Sequence, residues 1–468
     1  MMKKMSPALR ESLISTAFSA VILLLAIACH GGGYLHPESS EFLLNYNADR
    51  PLLNIIFDPQ KNDWTLYQCR ELSYFIDWID AQIIFALMKI KCVWFISFST
   101  IVFSLFTIFF QQYAGRQLFP RLPGMFFTFH AAALALLPAL TGNIFFRSSK
   151  AITTAGLTVL IFGTALRYLK RNNFFSSLKV CAVAAAVTVL ADRQGVFYVT
   201  GFTGVIAVMQ IFRPRYILKK VLRICSAVIV AAAAANLFIV PWIIRFLNNY
   251  TPDFSYQGDF SARNSLFFHG VDFFIANLGN AFCGLSNIQH AEKTGLSLLC
   301  AISYLLFRFR HRHLPFWVFP GVAAGIAICC EIMTLRHPPL RDIVIFSGYF
   351  LPSMAIVTFF YFAALAGLQG KLSGYSVIIP LLAICLRLYP YVYPEKLSGD
   401  IKNMSVFQNA SVQLKHAVQN PRSAISRQKP LPYNMELLLK KLENDEVSKR
   451  SSLPPSLKNH HPAPMRMP

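Results

Sequence analysis

Basic side chains on three widely separated turns are the first candidates for chemistry in this sequence. They lie between long hydrophobic segments, on the same predicted side of a membrane: Arg147, Lys150, Arg193, Arg336, His337 and Arg341. Ionisable groups near a bilayer are costly and usually functional. Cations that converge from separate turns would suit a phosphate or pyrophosphate at the membrane surface. The alternative is a set of local ion pairs, such as Arg193 with Asp192.

The candidate catalytic acids lie in the loop that follows the first hydrophobic segment. Glu41 and Glu38 are the acids closest to the end of that segment, and Asp63 is the next candidate. A carboxylate can act as a general base by taking a proton from an acceptor hydroxyl. Asp58 and Asp63 could also hold a divalent cation such as Mg²⁺ or Mn²⁺. For these two, the alternative is a polar turn in which Asp63 caps the following helix.

Inside the hydrophobic segments, ionisable side chains are scarce, and His130 and Arg387 are the main exceptions. A histidine in mid-segment is expected to be satisfied by neighbouring helices. Because the other charges cluster at segment ends, the pattern favours chemistry at a surface over a path through the bilayer.

The hydrophobic segments indicate the class of protein. The chain of 468 residues is 55% hydrophobic and 14% charged, whereas soluble domains have about 25% charged residues. A spanning helix needs about 20 mostly apolar residues. The candidate spans are Ser12–Cys29, Cys92–Phe110, Gly124–Phe146, Ala151–Leu166, Val180–Ala191, Gly195–Phe212, Ile224–Ile244, Thr294–Phe307, Leu314–Cys330, Ile343–Leu368 and Tyr375–Leu386. They predict an all-α polytopic membrane protein with about eleven transmembrane helices.

The net charge of +22 is distributed unevenly between the two predicted sides. With the N-terminus inside, the inside segments hold 18 Lys or Arg residues and one acid, Glu11. The outside segments hold 13 basic and 15 acidic residues. This is a strong positive-inside bias. The basic charge therefore sets topology and contacts anionic lipid, and a nucleic-acid partner is not expected.

Two regions follow from composition. Residues 1–394 form the predicted transmembrane domain, with outer loops 30–91 and 245–293, and residues 395–468 form a polar, Pro-rich, largely disordered tail. In the first loop, apolar residues recur on one helical face and Arg70, Glu71, Asp77 and Asp80 fall mostly on the other. This predicts an amphipathic helix over Trp64–Ile83, along the membrane surface.

This layout resembles the GT-C superfamily of membrane glycosyltransferases, which use polyprenyl- or dolichyl-phosphate-linked sugars. In that superfamily a long extracytoplasmic loop follows the first span, with an essential acid soon after the helix and then an amphipathic helix. Glu38 and Glu41, in His-Pro-Glu-Ser-Ser-Glu, occupy the early position here. Phe-Phe-Arg-Ser-Ser-Lys at 145–150 and Tyr-Phe-Leu-Pro at 349–352 are also similar to family features. The first loop departs from the family in having no adjacent pair of acids.

The resemblance implies an enzyme that moves a sugar from a polyprenyl-phosphate carrier to an extracytoplasmic acceptor, in a bacterial inner membrane. The carrier phosphate would be the leaving group, and cations would stabilise its charge. A secondary transporter or flippase of a lipid-linked or anionic substrate is the main alternative. It would need ionisable groups at the bilayer midplane and helices broken by Gly or Pro. A polysaccharide polymerase or ligase is the second alternative, and its main outer loop is expected late in the chain.

Overall fold

The structure is all-α in the part of the chain that it describes. The computed structural model describes residues 6–29, 43–47, 50–57, 70–92, 96–143, 148–169, 174–212, 214–249, 275–276, 278–283, 288–308, 350–368 and 378–392, and the isolated residues Val418, Leu437, Lys440 and Lys441. Across these residues no strand is present.

The main helices follow one another with short connections between residues 71 and 248. They are α1 (Pro7–Cys29), α2 (Leu52–Ile56), α3 (Glu71–Lys89), α4 (Phe98–Leu118), α5 (Gly124–Ala135), α6 (Pro138–Asn143), α7 (Ser149–Tyr168), α8 (Leu178–Ala191), α9 (Arg193–Phe212), α10 (Tyr216–Ala234), α11 (Val240–Asn248), α12 (Ile288–Arg308), α13 (Leu351–Leu368) and α14 (Ile378–Val392). A 3₁₀ turn, Phe174–Ser176, precedes α8, and a π-helical segment, Ala235–Ile239, joins α10 to α11.

Four of the described helices are long and apolar enough to cross a membrane. They are Pro7–Ala28, Ser149–Tyr168, Gln194–Phe212 and Tyr216–Asn248. Shorter apolar helices cover Gly124–Ala135, Leu178–Ala191 and Leu351–Phe360. The all-α class and the presence of membrane-spanning lengths are confirmed, whereas the count of about eleven spans stays a prediction. The candidate span 314–330 lies outside the described residues.

The predicted span Gly124–Phe146 is wrong as a single helix. Helix α5 ends at Ala135, and α6 begins at Pro138. Proline has no N–H and its ring clashes with the carbonyl of the residue four positions earlier, so it ends the preceding helix. Leu137 N–H donates to Leu134 O at 3.0 Å, which is a tighter turn than an α-helix makes. The carbonyl of Ala133 is thereby left for a different donor.

The predicted span Ile224–Ile244 is longer than the sequence indicated. The helix runs without a break from Tyr216 to Asn248, through α10, the π segment and α11, for 33 residues. At 1.5 Å per residue it is about 50 Å long, compared with about 30 Å for a bilayer core. Part of the predicted inside loop 213–223 therefore belongs to the first turns of this helix.

Helix α7 lies at the centre of the bundle, and every residue from Ser149 to Leu166 is buried. It packs closely on α8, where a Cβ on Gly156 would lie 2.4 Å from Thr188 Oγ1. Small residues of this kind let two helix backbones approach each other inside a membrane.

Helix α3 crosses one end of the bundle with its polar face turned inward. Asp77 Oδ1 accepts hydrogen bonds from Ser148 N at 2.9 Å and Ser148 Oγ at 2.6 Å, at the start of α7. Asp80 accepts from Ser97 Oγ and from Ser99 N, at the start of α4. Carboxylates are stabilising at helix N-termini because the helix dipole is positive there.

The end of the bundle that α3 crosses, where α4 and α7 begin, is called the α3 end. The amphipathic helix predicted for Trp64–Ile83 exists, with observed bounds Glu71–Lys89, and its apolar residues Phe75, Ile79 and Ile83 are exposed. The side chain of Asn54 on α2 donates to Leu247 O at 2.7 Å, so the end of α11 lies here too. At the opposite end, Arg116 of α4 pairs with Glu11 of α1 at 2.6 Å.

Two isolated positions of the C-terminal tail also contact the α3 end. The ammonium of Lys441 donates to Asn47 O. Val418 packs against a small apolar cluster that includes Leu43 and Tyr46. The remaining predictions for residues 395–468 lie outside the described residues.

Candidate functional site

Most of the residues predicted for the site lie outside the described part of the chain. These are the acids Glu38, Glu41, Asp58 and Asp63 and the basic residues Arg147, Arg336, His337 and Arg341. The structure describes Lys150 fully, and it describes the backbone of Arg193 as the first residue of α9. The predicted roles of the other residues stay predictions.

Lys150 is part of a buried ionic cluster at the α3 end. Its Nζ lies 2.8 Å from Asp192 Oδ2 and also donates to Gln194 Oε1. Arg70 Nε lies 3.6 Å from Asp192 Oδ1. The backbone N–H of Gln194 donates to Asp192 Oδ1 at 2.9 Å. Lys150, from one predicted basic turn, thus meets Asp192 and Gln194, which flank the predicted basic residue of a second turn.

The turn between α8 and α9 places Asp192 in this cluster. Asp192 is extended, with φ −156° and ψ 141°, and Gly195 N–H donates to Asp192 O at 2.7 Å. A Cβ on Gly195 would lie 1.8 Å from Thr188 O, so only glycine lets α9 start this close to α8. The carboxylate is 0% exposed as a result.

Electrostatics keep Asp192 ionised despite its burial. Burial raises the pKa of an acid, but Arg70 and Lys150 outweigh that effect and hold the pKa of Asp192 well below its usual range. Among the described contacts, Asp192 pairs with these two distant cations. The side chain of Arg193 lies outside the described structure, so its local pair with Asp192 stays a prediction.

Glu71 was placed on the polar face of the amphipathic helix, and the structure makes it a further member of this region. It follows Arg70 in the first turn of α3, and Ser73 in the same turn donates to Ala191 O, beside Asp192. Its Oε1 is buried and has no hydrogen-bond partner among the described residues. Burial raises the pKa of Glu71 from 4.5 to about 7, although its own backbone N–H partly offsets this. A carboxyl with that pKa can both accept and release a proton near neutrality.

The cluster offers charge stabilisation together with proton transfer. Gln194 is 1% exposed, and its Nε2 lacks a hydrogen-bond acceptor in the described structure. The described residues contain no group of three or more potential metal ligands. Among these residues, a negatively charged substrate group would therefore meet ammonium, guanidinium and amide donors.

The helices and their composition define the class of this chain, an all-α protein with helices of membrane-spanning length. No protein-family model matches the chain, and no curated protein matches it significantly. Its particular function therefore has to be argued from the site.

Proposed function

We propose that this protein is a membrane glycosyltransferase that moves a sugar from a polyprenyl-phosphate carrier to an acceptor at the α3 end. The observation that supports the proposal best is the buried cluster of Arg70, Lys150, Asp192 and Gln194 beneath α3. Acid–base and cationic groups are concentrated there at helix ends, as chemistry on a lipid-linked substrate requires. The proposal puts the α3 end on the extracytoplasmic side of a bacterial inner membrane.

The reaction needs a base and a stabilised leaving group. The base takes the proton of the acceptor hydroxyl as its oxygen attacks the anomeric carbon, and the bond from that carbon to the phosphate oxygen breaks. Lys150 and Arg70 supply positive charge for the departing polyprenyl phosphate. Asp192 acts as a positioning residue, because it holds both cations without contacting substrate.

Glu71 joins Glu41, Glu38 and Asp63 as a candidate base. Its buried Oε1, which has no partner among the described residues, and its pKa of about 7 suit proton acceptance at neutral pH. The roles of Asp58 and Asp63 in holding Mg²⁺ or Mn²⁺ remain part of the proposal, and chelation by EDTA tests them separately.

The test is turnover of a radiolabelled polyprenyl-phosphate sugar by the purified protein in proteoliposomes. We expect the variant that removes the true base to lose about 100-fold or more in rate. The variants are Glu71→Gln, Glu38→Gln, Glu41→Gln, Asp58→Asn and Asp63→Asn. Asp80→Asn is the matched control, because Asp80 is an acid of α3 whose described partners are Ser97 and Ser99. Full activity in all five variants would exclude every candidate base.

A transporter or flippase is the second candidate, and one observation favours it. Pro138 breaks an apolar helix, and His130 and Arg387 are buried near that break. If the wild type consumes no sugar donor but moves a lipid-linked or anionic substrate across the liposome membrane, this function replaces the first. A polymerase or ligase would instead release products of increasing length or join preformed polymers.

A further inference from the structure

The two ionisable residues predicted inside the hydrophobic segments lie near each other in the folded bundle. His130 is on α5 and is 0% exposed, and Arg387 is on α14 and is 1% exposed. Arg387 Nη1 donates a hydrogen bond to Ala133 O, and Ala133 is about one turn along α5 from His130. The helix break at Pro138 is what leaves that carbonyl free.

Arg387 is held by backbone and by an aromatic ring. Its Nε donates to Phe282 O at 2.9 Å, and its guanidinium lies 5.0 Å from the centroid of the Phe282 ring. Its Nη2 is buried and has no hydrogen-bond partner among the described residues. None of the described carboxylates forms an ion pair with it.

His130 presents a second donor that has no partner among the described residues. Gln112 Nε2 lies 3.0 Å from His130 Nδ1. Because an amide nitrogen can only donate, Nδ1 accepts and the neutral ring carries its proton on Nε2. That Nε2 and the Oε1 of Gln112 are buried without partners in the described structure.

Aromatic rings connect the two side chains. The centroid of the Phe362 ring lies 6.0 Å from that of the His130 ring and 6.5 Å from that of the Phe282 ring, which supports Arg387.

The depth of the site follows from its position along α5. Ala133 is nine residues beyond Gly124, which is about 14 Å along α5. Helix α5 starts at the end of the bundle that holds the Arg116–Glu11 pair. Ala133 therefore lies about halfway through a hydrocarbon core of about 30 Å.

A buried guanidinium without a carboxylate partner is costly. The carbonyls at a helix C-terminus supply only partial negative charge, and a water molecule supplies none. Among the described residues, the donors without partners on Arg387 and His130 outnumber the one nearby acceptor without a partner, Gln112 Oε1. An oxygen-bearing anion balances the charge of Arg387 and accepts hydrogen bonds from the donors on Arg387 and His130.

We propose that Arg387 and His130 form a binding site for an oxyanion, a phosphate or carboxylate, inside the helical bundle, and that Gln112 holds the His130 proton on Nε2. The site does not depend on the proposed glycosyl transfer, because it lies at mid-depth, away from the cluster at the α3 end. The same chemistry would bind either a free anion or the phosphate of a lipid.

The experiment uses the full chain in nanodiscs of phosphatidylcholine. Inorganic phosphate, acetate and short-chain phosphatidic acid are titrated separately, and the thermal unfolding midpoint and bound ligand are measured. We expect at least one of them to bind saturably. Arg387→Gln should weaken that binding about 10-fold or more, since a hydrogen bond to a charged group is lost. His130→Ala, which retains the cation, should weaken it by a smaller factor.

The control is Arg245→Gln, because Arg245 is an exposed arginine of α11, and this change should leave binding unaltered. Response to phosphate or acetate alone identifies a soluble anion, and response to phosphatidic acid alone identifies a lipid. If no probe binds, or if the His130 and Arg387 variants bind as well as wild type, Arg387 only caps the broken helix and the proposal is wrong. If Arg387→Gln does not fold, His130→Ala and Gln112→Ala decide the question.

Discussion

The α3 end and the interior break both bury charge, but they balance it differently. At the α3 end, Asp192 is ionised between Lys150 and Arg70. At the break, Arg387 is bound by two backbone carbonyls and an aromatic ring, with no described carboxylate. The first region is neutralised largely by the protein itself. In the second, no described carboxylate pairs with Arg387, and the proposed oxyanion would supply that negative charge.

The two regions balance charge differently because different parts of helices meet in them. The α3 end collects helix termini, where acids on α3 meet the positive ends of α4 and α7. The break exposes carbonyls in the middle of an apolar bundle, and these attract a cation. One region is therefore expected to be rigid without ligand, and the other to respond to ligand.

Asp192→Asn should give the largest loss of stability, because it leaves two buried cations without their anion. We expect about 3–5 kcal/mol, the usual cost of breaking a buried pair. The readout is the thermal unfolding midpoint in detergent.

Two further variants serve as controls. The double variant Lys150→Met with Asp192→Leu should recover part of the loss of stability. Arg387→Met should cost less in ligand-free protein, since no described carboxylate loses a partner. Equal losses for Asp192→Asn and Arg387→Met would remove the contrast between the two regions.

Glu71→Gln should give a pH-dependent gain in stability. The folded pKa of about 7 exceeds the ordinary 4.5, so the native state binds more protons between these values and loses stability as pH rises through that window. The glutamine has no such loss. Above pH 7 the variant should be more stable by at most about 3 kcal/mol. Below pH 4.5 it should match wild type.

Unfolding midpoints at pH 4 and pH 8.5 test this directly. A gain of equal size at both values would mean that Glu71 is not titrating in this window. If Glu71 is also the base, the same variant should be stable and inactive, a combination that a purely structural residue does not produce.

Asp77→Ala should cost about 1–2 kcal/mol, the usual effect of removing a helix cap. It removes the acceptor for Ser148 N and Ser148 Oγ at the start of α7. Hydrogen exchange of the first turn of α7 provides the local readout. Unchanged protection there would mean that α3 is not what holds this helix end.

Ile79→Ser should have the smallest effect, within about 0.5 kcal/mol in detergent, as is usual for exposed positions. Ile79 is on the outward face of α3, 37% exposed. Ile84→Ser, on the inward face, is the matched comparison and should cost several-fold more. A reversed order would show that α3 packs by its other face.

Apolar length and periodicity were enough to predict most of the helices. Helix α7 differs from its predicted segment by only two residues at each end, and α3 appears where apolar and charged faces alternate. The break at Pro138 was missed because the surrounding run is uniformly apolar. The first turns of α10 were assigned to a loop because Lys219 and Lys220 fit the positive-inside pattern, although lysine is a good helix former.

The site was harder to predict, because it depends on long-range packing. Lys150 was named from the sequence as a phosphate-binding candidate, but its pairing with Asp192 links positions 42 residues apart. Arg70 and Glu71 were assigned to the polar face of a surface helix, and nothing in the local pattern showed that this face turns inward. The adjacency of Arg70 and Glu71 at the helix start was the available signal.

The π segment at Ala235–Ile239 has a consequence for comparing this chain with relatives. Val240 N–H donates to Ala235 O, so the segment accommodates one residue more than an α-helix would. Ala232 and Val240 are both buried, although eight positions separate them and about seven residues make two helical turns. A relative with a plain α-helix here would be one residue shorter. A correct alignment would then carry a single-residue gap inside a hydrophobic helix, at a place where gaps are normally penalised.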